Sequence, residues 1–103
     1  MKKVIVQFIF PGLSAKTYEK SWEELRAIGH PNPKGLLHHV AGVQGKNVII
    51  YDVWESLEAF HKFGEILLPI LKKVGFPDNK PVITPVHYEY WGLKADLTNR
   101  KVA

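Results

Sequence analysis

The sequence predicts one α+β domain with the element order β-α-β-β-α-β and a four-stranded antiparallel sheet. Its 103 residues suit a single domain, because domains most often run to ~100–150 residues. Four stretches are rich in β-branched and aromatic residues, and two others repeat apolar residues at helical spacing behind a serine. We assign the domain to residues 1–93 and regard residues 94–103 as a basic C-terminal tail.

The first strand and the first helix have clear boundaries in the sequence. Val4 to Phe10 reads V-I-V-Q-F-I-F, and the Pro11-Gly12 pair ends it. Ser14 offers an N-cap for a helix that spans about Ser14 to Ile28, and Gly29 offers a C-terminal cap. The apolar residues of this helix follow at spacings of four, three and three: Tyr18, Trp22, Leu25 and Ile28.

A β-hairpin is predicted between the two helices. Leu36 to Ala41 forms the second strand, and Asn47 to Trp54 forms the third. Gly42 to Lys46 forms the turn between them, around Gln44-Gly45.

The second helix begins at Ser56, and its apolar stripe contains an interruption. A proline inside a helix removes a backbone hydrogen bond, so Pro69 predicts a kink near Glu65 or a break before a short final turn. The last strand is expected over Val82 to Trp91, where Pro85 is tolerable only at an edge or a bulge. The stripe of the helix consists of Leu57, Phe60, Phe63, Leu67 and Leu71.

This order of elements is the ferredoxin-like arrangement of split βαβ units. A weak internal repeat supports it, since V-I-V-Q-F-I-F before Ser14 is similar to V-I-I-Y-D-V-W before Ser56. Two helices cover only one face of such a sheet, yet three of the strands are apolar on both faces. A second copy packed sheet to sheet is the simplest cover, which predicts a homodimer. The alternative is that these residues only face a thick core.

Charge and composition exclude several classes of protein. Fourteen Lys and Arg against ten Asp and Glu give a net charge of +4, but residues 4–93 carry nine of each sign. We therefore expect no nucleic-acid partner, because such binding needs a basic patch on the folded body. No apolar stretch approaches the ~18 residues of a membrane span, so we expect no membrane partner. The lack of cysteine excludes disulfides and thiolate chemistry and agrees with a cytoplasmic location.

The histidines are the natural acid–base groups of this chain near neutral pH. His38 and His39 are neighbours on a strand, so their side chains point to opposite faces and cannot grip one metal ion together. We expect no metal site. His87, on the last predicted strand, and one of these two can meet in a sheet-lined cavity, or each can be a satisfied sheet histidine; both readings stay open.

Other polar residues on the strands need partners. The repeat places Gln7 and Tyr51 on one face of the sheet, and Asp52 on the other face with Phe8 and Trp54. A buried carboxylate or amide without a partner is costly, so these groups are paired, reach solvent or line a ligand site. Asp52 can orient a histidine, or it can cap a loop amide. The strong catalytic motifs are absent from the sequence, and the aromatic, mostly apolar interior suits a small apolar or aromatic ligand.

Three stretches carry a resemblance to a known group of proteins: G-L-L-H-H-V-A-G at Gly35 to Gly42, D-V-W-E-S-L-E-A-F at Asp52 to Phe60, and P-V-H at Pro85 to His87. With the order of elements, they resemble the dimeric α/β-barrel superfamily, especially the small antibiotic-biosynthesis monooxygenases, over nearly the whole chain to Gly92. The resemblance implies a ferredoxin-like fold and a dimer. Activities in the superfamily include cofactor-independent monooxygenation of polycyclic phenols, haem degradation, isomerisation and dehydration, so fold alone does not choose among them.

Haem-degrading members of the superfamily have an asparagine in strand one, followed by a tryptophan and an axial histidine in helix two. Here those positions hold Gln7 or Phe8, Phe63 and Lys73. Many of the monooxygenases have a histidine in helix two at the position of Phe63, so this chain lacks that histidine as well. We therefore expect no haem and no other cofactor.

Our first hypothesis is a homodimer that binds a small aromatic or apolar molecule and acts as a cofactor-independent monooxygenase on a phenol. In it, His39 or His87 deprotonates the phenol, and Asp52 orients that base. The substrate pocket is shaped by three further residues: Gln7, Tyr51 and Trp54. The alternative is a non-catalytic dimeric binding or accessory protein in which the same residues are satisfied structurally.

Overall fold

The computed structural model describes residues 2–92, and the predicted fold class is confirmed. The four strands form one antiparallel sheet in the order β2-β3-β1-β4, which is the ferredoxin-like topology. The C-terminal tail at residues 94–103 lies outside the described residues. The elements are β1 (Val4–Pro11), α1 (Ala15–Ala27), β2 (Leu36–Gln44), β3 (Asn47–Trp54), α2 (Leu57–Val74) and β4 (Val82–Pro85).

Both helices begin at the serines that the sequence indicates. The Ser14 hydroxyl accepts a hydrogen bond from the backbone N–H of Thr17 at 3.0 Å. The Ser56 hydroxyl accepts one from the backbone N–H of Ala59, also at 3.0 Å. Each serine thereby satisfies one of the N–H groups that a helix leaves unpaired at its start.

Helix α2 continues through Pro69 to Val74, so of the two alternatives expected at this proline the break before a short final turn does not occur. The residue after the proline, Ile70, is buried in the core, and this burial offsets the lost backbone hydrogen bond. Gly75 then ends the helix in the left-handed conformation, with its N–H donated to the carbonyl of Leu71. Neither of the helices described here is long and apolar enough to cross a membrane.

The core lies between the helices and one face of the sheet. Side chains alternate along a strand, so one face of β1 and β3 points toward the helices, with Val4 opposite Trp54 and Val6 opposite Asp52. The residues on this face are buried, apart from Phe8, which is half-buried. Trp54 is 1% exposed and packs among aromatic side chains of α2. The main cluster of buried residues consists of Val4, Val6, Leu25, Trp54, Phe63 and Ile70.

The hairpin is longer and tighter than the sequence predicts. Strand β2 runs past Ala41 to Gln44, which pairs with Asn47, so the turn is confined to Gly45 and Lys46. Gly42 lies within the strand and pairs with Ile49. Gly45 has φ +61°, the backbone conformation that a two-residue hairpin turn requires.

The last strand is shorter than predicted. Strand β4 ends at Pro85, not at Trp91. A proline has no N–H to continue the ladder, and the next N–H, from Val86, bonds the carbonyl of Lys3 outside the strand pairing. The ring of Trp91 meets His38 edge-on at a centroid distance of 6.2 Å, so the segment after β4 returns toward β2.

Replacing Gly35 with alanine is expected to destabilise the fold by about 1–3 kcal/mol. Gly35 has φ +91°, and a Cβ there would lie 2.6 Å from the Cβ of Ala59 at the start of α2. The matched control is Gly64→Ala inside α2, where an added Cβ has no close neighbour; it should be neutral or slightly stabilising. Urea unfolding of the two variants measures the difference, and equal midpoints would contradict the account.

Candidate active site

The site centres on a hydrogen-bonded pair, His39 and Asp52, which face each other on the neighbouring strands β2 and β3. The Nδ1 atom of His39 lies 2.6 Å from Oδ1 of Asp52. A carboxylate only accepts hydrogen bonds, so Nδ1 carries a proton and the ring is held in one orientation. Their side chains are largely buried, with 21% of His39 and 10% of Asp52 exposed.

A β-bulge decides which of the two adjacent histidines faces the helices. The register shifts between Leu36, which pairs with Trp54, and His38, which pairs with Val53. Without this shift, His38 would oppose Asp52, because the register would move by one residue. The extra residue, Leu37, brings His39 to that place and leaves His38 on the other face.

The second oxygen of Asp52 is also occupied. The indole N–H of Trp54 donates to Oδ2 at 3.2 Å, two residues along the same strand and on the same face. Asp52 therefore accepts from His39 through one oxygen and from Trp54 through the other. The two contacts fix the carboxylate in place and hold it as a charge-assisted acceptor.

Two residues of α1 complete the network, and the sequence pattern identifies them only as members of an apolar helix stripe. The Tyr18 hydroxyl lies 2.6 Å from Nε2 of His39, and the indole N–H of Trp22, one helical turn later, donates to the same hydroxyl at 2.8 Å. The rings of Tyr18 and His39 are parallel. A polar-tipped aromatic pair at positions i and i+4 is the signal in the sequence that would have indicated this role.

The protonation of Tyr18 is shifted by its surroundings. Burial raises the pKa of the hydroxyl above the ordinary value of 10.0. The N–H donated by Trp22 opposes this rise in pKa, whereas the charges of Asp52 and Glu19 add to it. Tyr18 therefore keeps its proton at neutral pH and can donate it to a neighbouring acceptor.

The free energy of unfolding is expected to fall as the pH rises above about 10, because the unfolded chain then loses the Tyr18 proton before the folded chain does. The stabilising contribution of the neutral hydroxyl is complete below that pH and is lost as the pH rises through the raised pKa of the folded state. Tyr18→Phe has no such proton. Urea unfolding of both proteins across this range should show a steeper alkaline loss for the wild type, and parallel curves would contradict the raised pKa.

The network borders a small cavity between the sheet and the helices. The cavity has a volume of about 60 Å³, and its wall includes Tyr18, Trp22, His39, Asp52 and Trp54. The rest of the wall is almost entirely apolar. Water is scarce in such surroundings, so hydrogen bonds and charges at the wall act more strongly than they would in solvent.

A larger cleft lies on the other side of an aromatic partition. It has a volume of about 650 Å³ and runs between α2 and the loop at residues 76–81, which is within the usual range for small-molecule sites. Asn79 holds part of this loop by donating its side-chain amide to the carbonyl of Ile9. The partition consists of the residues that line both spaces: Phe8, Phe10, Phe60, Leu67, Leu71 and Phe76.

The structure brings together three of the six site residues that the sequence indicates: His39, Asp52 and Trp54. Gln7 and Tyr51 pair with each other across β1 and β3, but their side chains point to the face opposite the helices. They cannot line the same cavity as His39.

His87 is also separated from His39. It follows β4, which is the edge strand opposite β2. The side chain of His87 is exposed. The strand predicted to carry it ends at Pro85, and within residues 2–92 no hydrogen bond or ring contact joins His87 to His38 or His39.

A metal site needs several ligating side chains clustered around one point. Within residues 2–92, no group of three or more His, Asp or Glu side chains is placed to hold a metal ion. The His39–Asp52 pair contributes only two such groups, and both face each other.

The chain is similar in structure to known proteins, although no relative is found from its sequence. No protein-family model matches the chain, and no curated protein matches it in sequence. A mutant of SnoaB, a cofactor-independent oxygenase from Streptomyces nogalater, superposes with a TM-score of 0.65 at 14% identity, covering 86% of this chain and 97% of SnoaB. A second SnoaB structure gives a TM-score of 0.62 at the same identity and coverage.

A third solved structure shares the fold. It is the monooxygenase from the gene ActVA-Orf6 of Streptomyces coelicolor in complex with the ligand Nanaomycin D. It superposes with a TM-score of 0.57 at 17% identity, covering 88% of this chain and 93% of that one. The expected resemblance to antibiotic-biosynthesis monooxygenases is thus confirmed as a shared ferredoxin-like fold.

Proposed function

We propose that the protein is a cofactor-independent oxygenase that removes a proton from a polycyclic phenol or its keto tautomer. The observation that carries this proposal is the 2.6 Å contact between His39 and Asp52 at the wall of an apolar, aromatic cavity. The Asp52 carboxylate at Nδ1 keeps the imidazole of His39 correctly oriented. It also stabilises the imidazolium that forms when this imidazole accepts a proton from the substrate. The oxygenases with the same fold support the choice of reaction.

The proposed reaction balances without a cofactor. Anthrone, the keto tautomer of a tricyclic phenol, loses one proton to the base and becomes a carbanion-like anion. This anion gives electrons to dioxygen and forms a carbon–oxygen bond, and loss of water from the resulting hydroperoxide leaves a quinone. One oxygen atom of dioxygen ends in the new carbonyl group and the other in water. All the electrons come from the substrate, so no external reductant is needed.

The two spaces of the site suit the two reactants of this scheme. The cleft of about 650 Å³ accommodates a flat ring system against aromatic side chains. The cavity of about 60 Å³ has room for a hydroxyl-bearing ring edge or for dioxygen beside His39. In the proposal, the ring edge reaches the cavity by displacing the side chains of Phe8 and Phe60, which belong to the partition.

We further propose that the protein is a homodimer whose copies pack through the uncovered face of the sheet. That face presents apolar side chains that are 40–50% exposed in the single chain: Ile9 at 42%, Tyr51 at 46% and Val40 at 49%. Gln7 and Tyr51 then belong to this interface instead of the substrate pocket. Native mass spectrometry should show a dimer, and a monomer of 11.7 kDa would contradict this part of the proposal.

Oxygen uptake with anthrone tests the proposed reaction. Wild-type protein should consume oxygen and release quinone in equal amounts, and His39→Gln should lower the rate by roughly 10²–10⁴-fold. His30→Gln is the matched control, because His30 lies in the turn after α1 and outside both spaces. A rate for His39→Gln equal to that of the wild type would refute the role of this pair.

The second candidate is a non-catalytic binding or accessory protein. Every buried side-chain nitrogen and oxygen of the described residues has a hydrogen-bond partner, which is also what a purely structural polar network requires. This candidate expects no turnover of any phenol, and it expects substitutions of Asp52 or Trp54 to change stability only. The oxygen-uptake experiment separates the two.

A further inference from the structure

Both ring nitrogens of His39 are occupied by protein partners. Nδ1 is 2.6 Å from Asp52, and Nε2 is 2.6 Å from the Tyr18 hydroxyl. An imidazole has only these two nitrogens, and each makes one in-plane hydrogen bond. A ligand therefore has no nitrogen of His39 to contact directly, and a proton can reach His39 only by way of Tyr18.

The Tyr18 oxygen has one position left for a ligand. A phenol group donates one hydrogen bond and accepts two. A neutral His39 ring whose one proton lies on Nδ1 toward Asp52 leaves Nε2 to accept the Tyr18 proton, while one lone pair of the Tyr18 oxygen accepts from the N–H of Trp22. The second lone pair is free among these contacts, and Tyr18 is part of the cavity wall. That lone pair accepts a hydrogen bond, so it selects a ligand that donates one.

We propose that Tyr18 is the catalytic residue that touches the substrate and that His39 acts through it as a positioning residue and proton acceptor. The proposal rests on the proposed function, because it concerns the same proton. It also names the ligand class, which is a phenol or enol whose hydroxyl donates to the Tyr18 oxygen. An ether or a carboxylate of the same shape has no proton for this position.

The relay is balanced in protons and charge. The substrate O–H bond breaks and a new O–H bond forms on Tyr18, while the original Tyr18 O–H bond breaks and an N–H bond forms at Nε2 of His39. The products are a substrate oxyanion and an imidazolium paired with the Asp52 carboxylate. Tyr18 begins and ends the step neutral, as expected for a buried hydroxyl whose charged neighbours, Asp52 and Glu19, both disfavour a tyrosinate.

Absorption spectroscopy with para-nitrophenol tests this assignment without requiring turnover, because phenol and phenolate have different bands. Wild-type protein should ionise the bound probe at a pH at which the free probe stays protonated. Tyr18→Phe should still bind it but should lower the ratio of phenolate to phenol by roughly tenfold or more. Tyr88→Phe, at a tyrosine that is 78% exposed, is the matched control. Para-nitroanisole, the methyl ether, controls for shape and should show no ionisation.

A second variant keeps the test decisive where Tyr18→Phe folds or binds poorly. Trp22→Phe removes the N–H that polarises the Tyr18 hydroxyl, and with it part of the strength of the hydrogen bond that this hydroxyl donates to the substrate oxyanion once the proton has moved. The variant should therefore lower the ionised fraction while binding is retained. A Trp22→Phe protein that ionises the probe as fully as the wild type would overturn the role of Tyr18.

The outcomes also distinguish this inference from the proposed function. If Tyr18→Phe ionises the bound probe as well as the wild type while His39→Gln does not, His39 is the direct base, and only the inference about Tyr18 is overturned. If the wild type binds the probe without ionising it, both the relay and the proposed proton acceptor are overturned. Loss of ionisation in both variants, with binding retained, supports Tyr18 as the residue in contact with the phenol.

Discussion

Replacing Trp54 with alanine is expected to lower the free energy of unfolding by about 3–5 kcal/mol. Trp54 is 1% exposed, and its ring packs against Phe60 and Phe63 at centroid distances of 5.7 and 5.6 Å. The substitution leaves a cavity in the main core cluster and removes the N–H that satisfies Asp52. A domain of this size has a total stability of about 5–15 kcal/mol, so a large share would be lost.

Urea or guanidinium unfolding measures this loss. Trp91→Ala is the matched control, because that tryptophan is 54% exposed and contacts His38 at the surface; it should change stability by less than about 1 kcal/mol. Trp54→Phe separates the two causes, since it keeps most of the packing and loses only the donor to Asp52. Equal stabilities for Trp54→Ala and Trp91→Ala would contradict the placement of Trp54 in the core.

Replacing Asp52 with asparagine is expected to reduce oxygen uptake with anthrone by roughly 10²–10⁴-fold while preserving the fold. An amide has one acceptor and one donor, so it cannot accept from both His39 and Trp54 as the carboxylate does. If the amide N–H faces His39, the ring must carry its proton on Nε2, and Tyr18 can then no longer donate to it. The variant also loses the negative charge that stabilises the imidazolium.

The same variant should lower stability by only about 1–3 kcal/mol, the usual cost of a disturbed buried hydrogen bond. Rate and unfolding are therefore measured on the same preparation. If Asp52→Asn consumes oxygen as fast as the wild type but is less stable, the hydrogen-bond network has a structural role only. A large loss of rate with most of the stability retained is the result expected of a catalytic carboxylate.

Local signals in the sequence were sufficient for the order of elements. Ser14 and Ser56 begin the helices because a serine hydroxyl satisfies a free backbone N–H, and this depends only on neighbouring residues. The placement of Asp52 and Trp54 on the helix side of the sheet also follows from the alternation of side chains along a strand. Such short-range rules need no knowledge of distant contacts.

The features that sequence patterns missed depend on contacts between elements. Alternation cannot decide between His38 and His39, because a single bulged residue at Leu37 reverses the answer. The role of Tyr18 depends on the meeting of α1 with β2, which no periodicity within the helix reveals. The pattern alone predicts that an aromatic residue in an apolar stripe packs in the core. The hydroxyl of Tyr18 becomes part of the site only because β2 places His39 beside it.

The end of β4 shows the opposite problem, because the sequence pattern predicts a strand to Trp91 and the strand ends at Pro85. The apolar and aromatic residues after Pro85 predict a continuing strand, and that strand would place His87 in the sheet. The proline gives no N–H to the ladder, so pairing with β1 stops at the Val4–Pro85 pair. Gln7 and Tyr51 share one face of the sheet, as the repeat predicts, but they do not line the cavity that they are predicted to shape, because that cavity lies on the helix side.

Nitrogen NMR of the His39 imidazole tests most directly whether the site takes a proton from a phenol. Protein labelled with ¹⁵N-histidine is recorded with and without para-nitrophenol, and the His39 signals are identified by their loss in His39→Gln. The account predicts a neutral ring with its proton on Nδ1 in the free protein and an imidazolium once the phenol is bound. A His39 ring that stays neutral with the phenol bound would contradict it.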